Sequence, residues 1–413
     1  MLSSYAQKRI FNCDYLKPGS YNISFIIDIP DINIELVKTT LNKIILKHNS
    51  LRTVFNYKGE PSILDENLDI NLDYDFTTSN YIFKIINGTE PLIKAYVTKS
   101  KIYFIGHHIA LDGWSINLFI SEFLNYYSNK SDDITLSYTY QDYCKWEQTY
   151  MTSNKFQKSL TWWKSIVDNN FIQDLPYDNI DTSNTSFTYY SNRNNVSNID
   201  ILLSKFNLSF YNLFQIIIGF VIYFITDQTK IYLGGVSTNR PNIKSEKVIG
   251  MFVNTNIYVF DLNKLDTIND IIIQFKNRYY EVLSMSQVPY ECYATKNIQI
   301  MVTSDNIKPD NNLETFLDTN DNISKFDLTF NSYYDSSLYF NITYDNKKFN
   351  NDTIITITSL FWDIVSSLPY ETSFPVLQDF LNKFELKYQC IKSKYKYGEF
   401  LWGVRPISEI DCL

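Results

Sequence analysis

The sequence has 413 residues, 45% of them hydrophobic and 16% aromatic, which is enough to bury the cores of about two or three ordinary domains or of two lobes of one enzyme. Its formal net charge of −8 argues against a nucleic acid as the main partner. Five cysteines lie far apart without paired spacing, which predicts reduced thiols, no metal site and a cytoplasmic location.

Predicted strands and helices alternate from the start of the chain. Residues 1–11 are mostly polar and lack the apolar run of a signal peptide. Alternating apolar residues over 23–29 predict a half-buried strand. Helical spacing after Asn33, a possible N-cap, predicts a helix that ends near Lys47-His48, so we expect His48 to be structural. A further strand begins at Leu51.

Two of the three histidines in the chain are adjacent, at His107-His108. Residues 101–106 before them predict a strand, and apolar residues at helical spacing after them predict a helix with Ser115 as a plausible N-cap. Because strand side chains alternate between two faces, one histidine can line a site while the other packs inward. Two satisfied core histidines followed by an Asp-Gly turn would explain the same residues.

The second half of the chain continues the alternation. A stretch rich in Asn, Ser and Thr, 181–198, predicts a crossover. The most apolar stretch, 213–225, is shorter than the about 20 residues that span a bilayer, so it predicts a buried helix and no membrane partner. The remaining predicted elements are strands at 231–236, 257–259 and 338–344, a turn at 239–241 and a last helix at 354–368. This pattern alone indicates an α/β protein.

The stretch His107-His108-Ile109-Ala110-Leu111-Asp112-Gly113 resembles the His-His-x-x-x-Asp-Gly signature of the condensation domains of nonribosomal peptide synthetases, which the wider superfamily of chloramphenicol acetyltransferase shares. Asn49 and Val288 depart from the family pattern, and the usual Arg-rich motif is replaced at 297–301. The resemblance covers residues 4–368. Its other motifs follow in the family order at residues 4–9, 48–55, 140–146, 250–255 and 286–291, and residues 325–329 resemble a further recurrent family stretch.

The resemblance implies an α/β fold of two chloramphenicol acetyltransferase-like lobes, a pseudo-dimer in which each lobe is a mixed β-sheet with flanking helices and the active-site channel lies between them. We predict an N-terminal lobe over residues 1–170, a crossover over 171–198, a C-terminal lobe over 199–376 and a tail of unknown role over 377–413. Since no adenylation or carrier domain is visible, we expect a freestanding enzyme.

The reaction that the resemblance implies is attack of an amine on an acyl or aminoacyl thioester. An acyl or peptidyl carrier protein is the donor partner, and its phosphopantetheine arm carries the substrate, with no bound cofactor expected. The acceptor amine is free or held on a second carrier protein. A related acyltransferase that forms an ester or uses acyl-CoA is the alternative. An inactive recruitment platform is a further one, against which the intact His-His motif argues.

The resemblance also implies roles for individual residues. His108 matches the catalytic histidine, which suits the handling of an amine proton near neutral pH. The N–H of Gly113 is a candidate to stabilise the developing oxyanion. Asp112 is a general base, a loop brace or a plain turn residue. We favour the brace, with Arg240 from the second lobe as its cationic partner and Arg52 as the fallback.

Other residues of the motifs are expected to support or line the site. His107 lies on the opposite strand face from His108, and we expect it to pack. Trp114, Asn254 and Thr255 are candidates to line the channel, although packing is the favoured role of Trp114. Cyclising relatives carry an Asp-rich motif in place of the His-His pair, so the intact pair in this sequence sets that subtype aside.

Overall fold

In the computed structural model, the described residues are 1–16, 18–19, 21–65, 82–130, 135–178, 187–194, 196–263, 267–295, 298–304, 324–335, 337–367 and 384.

The N-terminal lobe is built on a three-stranded antiparallel sheet in the order β1-β5-β4, beside a two-stranded hairpin of β2 and β3. In the sheet, Asn22 pairs with His107. The rings of Phe104 on the sheet and Phe119 on α3 lie 5.1 Å apart, so α3 packs directly on the strand that leads to the histidines. The elements of this lobe are α1 (Tyr5–Leu16), β1 (Asn22–Asp28), α2 (Ile34–Lys47), β2 (Thr53–Phe55), β3 (Pro61–Ile63), β4 (Ile93–Val97), β5 (Lys101–His107), α3 (Gly113–Tyr127) and α4 (Tyr140–Met151).

The start of α3 differs from the prediction. Asp112, and not Ser115, is the N-cap, because Asp112 Oδ1 accepts the backbone N–H of Ser115 at 2.9 Å. Asp112 is therefore both the last residue of the loop and the N-cap of α3. The predicted cap of α2 is confirmed, since Asn33 Oδ1 accepts the N–H of Leu36 at 3.1 Å.

The C-terminal lobe is built on a six-stranded mixed sheet in the order β6-β11-β10-β9-β7-β8, in which β9 pairs in parallel with β7 and with β10. Helix α7 is buried along nearly its whole length, as predicted for residues 213–225. The elements of this lobe are α5 (Asn154–Ile166), β6 (Phe187–Asn194), α6 (Ser197–Phe206), α7 (Phe210–Thr226), β7 (Lys230–Ser237), β8 (Asn254–Asp261), α8 (Ile268–Met285), β9 (Ile300–Ser304), β10 (Leu328–Tyr334), β11 (Ser337–Tyr344) and α9 (Asn351–Ser367).

No single described helix is long and apolar enough to cross a membrane. Helices α6 and α7 reach the necessary length and composition only when taken together, and the pair is bent by 111°.

Sheet and core membership differ from the predicted lobe boundaries in three places. Strand β6 lies within the predicted crossover, 171–198, yet it is an edge strand of the C-terminal sheet. Helix α5 lies within the predicted N-terminal lobe, 1–170, but its Trp163 packs in the C-terminal core. Conversely, Phe252 packs in the N-terminal core. Shared apolar burial decides membership of a core, and chain order does not.

The predicted tail, 377–413, lies outside the described residues except for Phe384. That side chain is buried in the C-terminal core, where its ring lies 5.3 Å from the ring of Phe224.

Candidate active site

The two adjacent histidines lie where β5 ends. The backbone N–H of His107 donates to the Leu92 carbonyl at 3.0 Å, and that of His108 donates to the Tyr21 carbonyl at 2.7 Å. His107 is fully buried, whereas His108 is half-buried. Because consecutive residues of an extended chain point in opposite directions, the two imidazoles have different surroundings.

His107 is fixed inside the N-terminal lobe. Its Nδ1 accepts the backbone N–H of Ile109 at 3.2 Å, so the ring proton of the neutral imidazole is on Nε2. That Nε2 lies 3.2 Å from Oδ1 of the buried Asp14 of α1. The ring of His107 therefore packs, fully buried, between β5 and α1, and packing is the role that we predicted for it.

His108 keeps one nitrogen available. Its Nδ1 is buried and makes no hydrogen bond with another described residue, which leaves Nε2 as the nitrogen that can reach a substrate. Burial lowers the pKa of His108 to about 4, and the positive charge of Lys325 contributes in the same direction. Asp112 acts in the opposite direction and only partly offsets this. The imidazole is therefore neutral at pH 7 and can accept a proton or a hydrogen bond.

Asp112 is surrounded by hydrogen-bond donors. Its Oδ1 accepts from the backbone N–H and the hydroxyl of Ser115, at 2.9 and 2.7 Å, and from Arg240 Nη2 at 3.1 Å. Its Oδ2 accepts the backbone N–H of Phe252 at 3.0 Å. The side chain is fully buried. A carboxylate held in this way cannot approach a substrate, so the geometry fits a brace better than a general base.

Arg240 is the partner that the structure gives to Asp112, as predicted. It also donates to the carbonyl oxygens of Ser245 and Val248, and its guanidinium lies 4.0 Å from the centre of the Phe252 ring. The fallback partner, Arg52, is buried elsewhere. There its guanidinium donates to the Leu64 and Leu46 carbonyls and to the Asn49 side chain.

Residues 248–252, here called the inter-lobe segment, come from the C-terminal half of the sequence but lie in the N-terminal lobe. Several N-terminal side chains bind its backbone: His48 and Ser50 at Ile249, Ser115 at Gly250, Tyr140 at Met251 and Asp112 at Phe252. Sequence reasoning missed these contacts. Most of the participating side chains lie within the quoted motifs, so motif membership is the signal that points to them.

Gly250 is required by this arrangement. A Cβ added there would lie 2.1 Å from Cδ2 of Tyr140, which is too close for any side chain. The Ser115 hydroxyl beside it accepts from the Gly250 N–H and from Arg240 Nη2, at 3.0 Å in both cases. This one hydroxyl therefore links the helix α3, the inter-lobe segment and the buried arginine.

Comparisons with known proteins identify the family of this chain. The sequence model of the Condensation domain matches residues 1–385. The chain belongs to the condensation domain family. It is 24% identical over 89% of its length to bacitracin synthase 1 of Bacillus licheniformis, of which it spans 8%. It is 22% identical over 90% of its length to tyrocidine synthase 3 of Brevibacillus parabrevis, of which it spans 6%.

Solved structures confirm the predicted fold. The condensation domain described here has a TM-score of 0.71 with the first condensation domain of the calcium-dependent antibiotic synthetase, at 11% identity, covering 91% of this chain and 98% of that one. The epimerization domain from the third module of tyrocidine synthetase B also gives a TM-score of 0.71, at 15% identity, with coverages of 89% and 95%.

Three further residues predicted to belong to the site of this condensation domain, Gly113, Trp114 and Thr255, differ in exposure and contacts. Gly113 is exposed at the start of α3, and a Cβ added there would meet no atom within 4 Å. Trp114 is 41% exposed, and its indole N–H donates to the Glu246 carbonyl at 3.0 Å, so it contacts the second half of the chain. Thr255 is half-buried in β8 and stays a channel-lining candidate.

Asn254 does not fit the channel-lining prediction. It is buried, its amide donates to the carbonyl oxygens of Ser286 and Val288 at 2.8 and 2.6 Å, and its Oδ1 accepts the N–H of Tyr290 at 3.3 Å. All of its polar side-chain atoms thus join β8 to the chain after α8. No cluster of metal-ligating side chains occurs within the described residues.

Proposed function

We propose that this condensation domain catalyses amide-bond formation, by attack of an amine on an acyl or aminoacyl thioester carried on the phosphopantetheine arm of a carrier protein. The observation that carries the proposal is the state of His108. It is neutral at pH 7, half-buried, and lies at the start of the loop whose last residue, Asp112, is paired with Arg240 from the other half of the chain.

In the proposed reaction, Nε2 of His108 accepts a hydrogen bond from the neutral amine and orients its lone pair toward the thioester carbon. As the C–N bond forms, the amine proton moves to Nε2 and the carbonyl oxygen becomes an oxyanion. The N–H of Gly113, at the positive end of α3, is the candidate donor to that oxyanion. Collapse then breaks the C–S bond, and the departing thiolate takes the proton from the imidazolium.

A histidine whose pKa lies near 4 is a weak base, so proton transfer alone supplies a modest share of the acceleration. Holding the amine and the thioester side by side contributes more, up to roughly 7–11 kcal/mol in favourable intramolecular cases. We therefore assign His108 mainly to orienting the amine and collecting its proton. Asp112 and Arg240 keep the loop that carries His108 and Gly113 in one conformation.

The experiment compares donors and acceptors. The purified chain is incubated with an octanoyl or aminoacyl group loaded on a carrier protein, or with the same group on coenzyme A, and with an amine or an alcohol acceptor. Products are identified by mass spectrometry, and the His108→Ala variant is the matched control. Amide formation from the carrier-bound donor that is lost in the variant supports the proposal.

Other outcomes assign a different function. Faster reaction from coenzyme A, or an ester as the main product, identifies the alternative acyltransferase. Inversion of the donor stereocentre without transfer identifies an epimerase, an activity named for one structure of the same fold. No turnover with any pair, together with binding of the carrier protein, identifies a recruitment platform.

A further inference from the structure

Lys325 brings a positive charge from the C-terminal lobe to the side of His108. It lies just before β10, on a segment held by Asp327, which accepts hydrogen bonds from the Tyr177 hydroxyl and from Lys348. The Lys325 ammonium lies 4.2 Å from the centre of the Tyr21 ring. Lys325 is therefore placed by its own lobe and touches the other.

Tyr21 connects this charge to the catalytic histidine. Its ring lies 6.5 Å from the imidazole of His108 in an edge-on arrangement, with an interplanar angle of 62°. Its carbonyl accepts the backbone N–H of His108 at 2.7 Å. A cation over an aromatic face is attracted by the ring quadrupole, so the ammonium also favours one position of this ring.

We propose that Lys325 is a positioning residue for the reaction. It holds the Tyr21 ring against His108 and places a positive charge where protonation of the imidazole is disfavoured, so that His108 stays ready to receive the amine proton. The inference rests on the proposed function, because it assigns His108 the role of proton acceptor.

The other charged and titratable groups around His108 do not account for the effect that we assign to Lys325, which is to disfavour protonation of the imidazole. Asp112 favours the imidazolium, but its carboxylate is paired with the guanidinium of Arg240. His107 also disfavours the imidazolium, but its effect is smaller than that of Lys325. Among the described charged side chains that act on His108, Lys325 is thus the cation that opposes Asp112.

The test separates charge from shape. Lys325→Met keeps an unbranched side chain but removes the charge, and Lys325→Arg keeps the charge. Lys158→Met, on the exposed side of α5, removes the same charge elsewhere. The chain has three histidines, so the ring resonances are assigned by single His→Gln variants and followed by NMR as the pH is lowered, with no need for turnover.

We expect Lys325→Met to raise the pH at which His108 is half-protonated, and Lys325→Arg and Lys158→Met to leave it unchanged. The wild type can unfold at low pH before His108 is protonated. In that case, a His108 ring that is protonated in folded Lys325→Met, but not in the folded wild type, equally supports the inference. Added salt should raise the midpoint of the wild type and not that of Lys325→Met, since screening at about 1 M shortens the electrostatic range to about 3 Å.

An unchanged midpoint in Lys325→Met overturns the inference, and an equal rise in Lys325→Met and Lys325→Arg assigns the effect to shape. The acid limb of kcat, which reports groups in the bound complex, should move to higher pH in Lys325→Met. If the NMR midpoint moves but no acyl transfer is found with any donor, the proposed function has failed and the placement of Lys325 stands. If transfer is found and neither midpoint nor acid limb moves, only the role of Lys325 is lost.

Discussion

Arg240 Nη2 lies 3.1 Å from Asp112 Oδ1, with both side chains at most 2% exposed. The two residues are 128 positions apart in the sequence and come from different lobes. Burial of either charge alone would be costly, so each residue depends on the other being in place. Since Asp112 also caps α3, the pair fixes the start of that helix relative to the inter-lobe segment.

This pairing predicts strong coupling between the two residues. Asp112→Asn and Arg240→Met should each lower the free energy of unfolding by roughly 3–5 kcal/mol, because each leaves a buried charge without its partner. The double variant should lose less than the sum. Urea unfolding of the wild type, both single variants and the double variant measures the coupling.

An exposed ion pair provides the control for this double-mutant cycle. The exposed pair Arg278–Glu281, with side chains 36% and 52% exposed, is the control and should show a coupling of about 1 kcal/mol or less. Strict additivity at Asp112 and Arg240, with lost turnover in Asp112→Asn and normal stability, would favour a general base over a brace.

The different surroundings of the two histidines predict different losses. His108→Ala should reduce turnover strongly and leave the melting temperature nearly unchanged, because the ring is half-buried and its Nδ1 bonds no other described residue. His107→Ala should lower the melting temperature, since it removes a buried ring between β5 and Asp14. Thermal unfolding and acyl-transfer assays on both variants test this. Equal losses of activity at unchanged stability would contradict the assignment.

Gly250 should tolerate no side chain. Gly250→Ala places a methyl group 2.1 Å from the Tyr140 ring, so we expect the inter-lobe segment to move and the stability to fall by about 1–3 kcal/mol. Gly113→Ala is the matched control for stability, because nothing lies within 4 Å of its added Cβ. Denaturant unfolding of the two variants compares them. A Gly250→Ala protein as stable as Gly113→Ala would show that the segment is less tightly held than its contacts indicate.

Glu147 should make the stability depend on pH near neutrality. It is 3% exposed and accepts hydrogen bonds from the Tyr5 N–H and the Tyr143 hydroxyl, and burial raises its pKa to about 7. Between its unfolded pKa near 4.5 and about 7 the folded state keeps the proton that the unfolded state has lost, so stability falls as the pH rises. The loss is on the order of 3 kcal/mol when complete.

Urea unfolding at pH 5 and pH 8 measures this effect as a difference between proteins. Glu147→Gln should lose less stability than the wild type over that interval, because its side chain does not ionise. Glu246→Gln, which changes an exposed carboxylate, should follow the wild type. His108 contributes with the opposite sign below pH 6.5, since its pKa is lowered, and this contribution is common to all three proteins. Parallel curves for all three would mean that Glu147 is ionised in the folded state.

The sequence by itself determined the elements and the location of the site. Period-two and helical spacing of apolar residues are local properties, so β5, α2 and α7 were predictable from a few neighbouring side chains. The His107-His108 pair with Asp112-Gly113 likewise lies within one short stretch, and with the other motifs it indicated the family. Ser115 was the exception among the predicted caps, because Asp112, three residues earlier, accepts the N–H of Ser115 and places that serine inside the first turn of α3.

Only the tertiary structure decided which distant residues meet. Periodicity does not say whether Asp112 pairs with Arg240 or Arg52, that Trp163 joins the C-terminal core, or that Phe252 joins the N-terminal one. It gave no hint that Lys325 lies over Tyr21 beside His108. These contacts depend on how two folded lobes bury apolar surface and pair buried charges across their interface, and such long-range choices leave no local pattern in the chain.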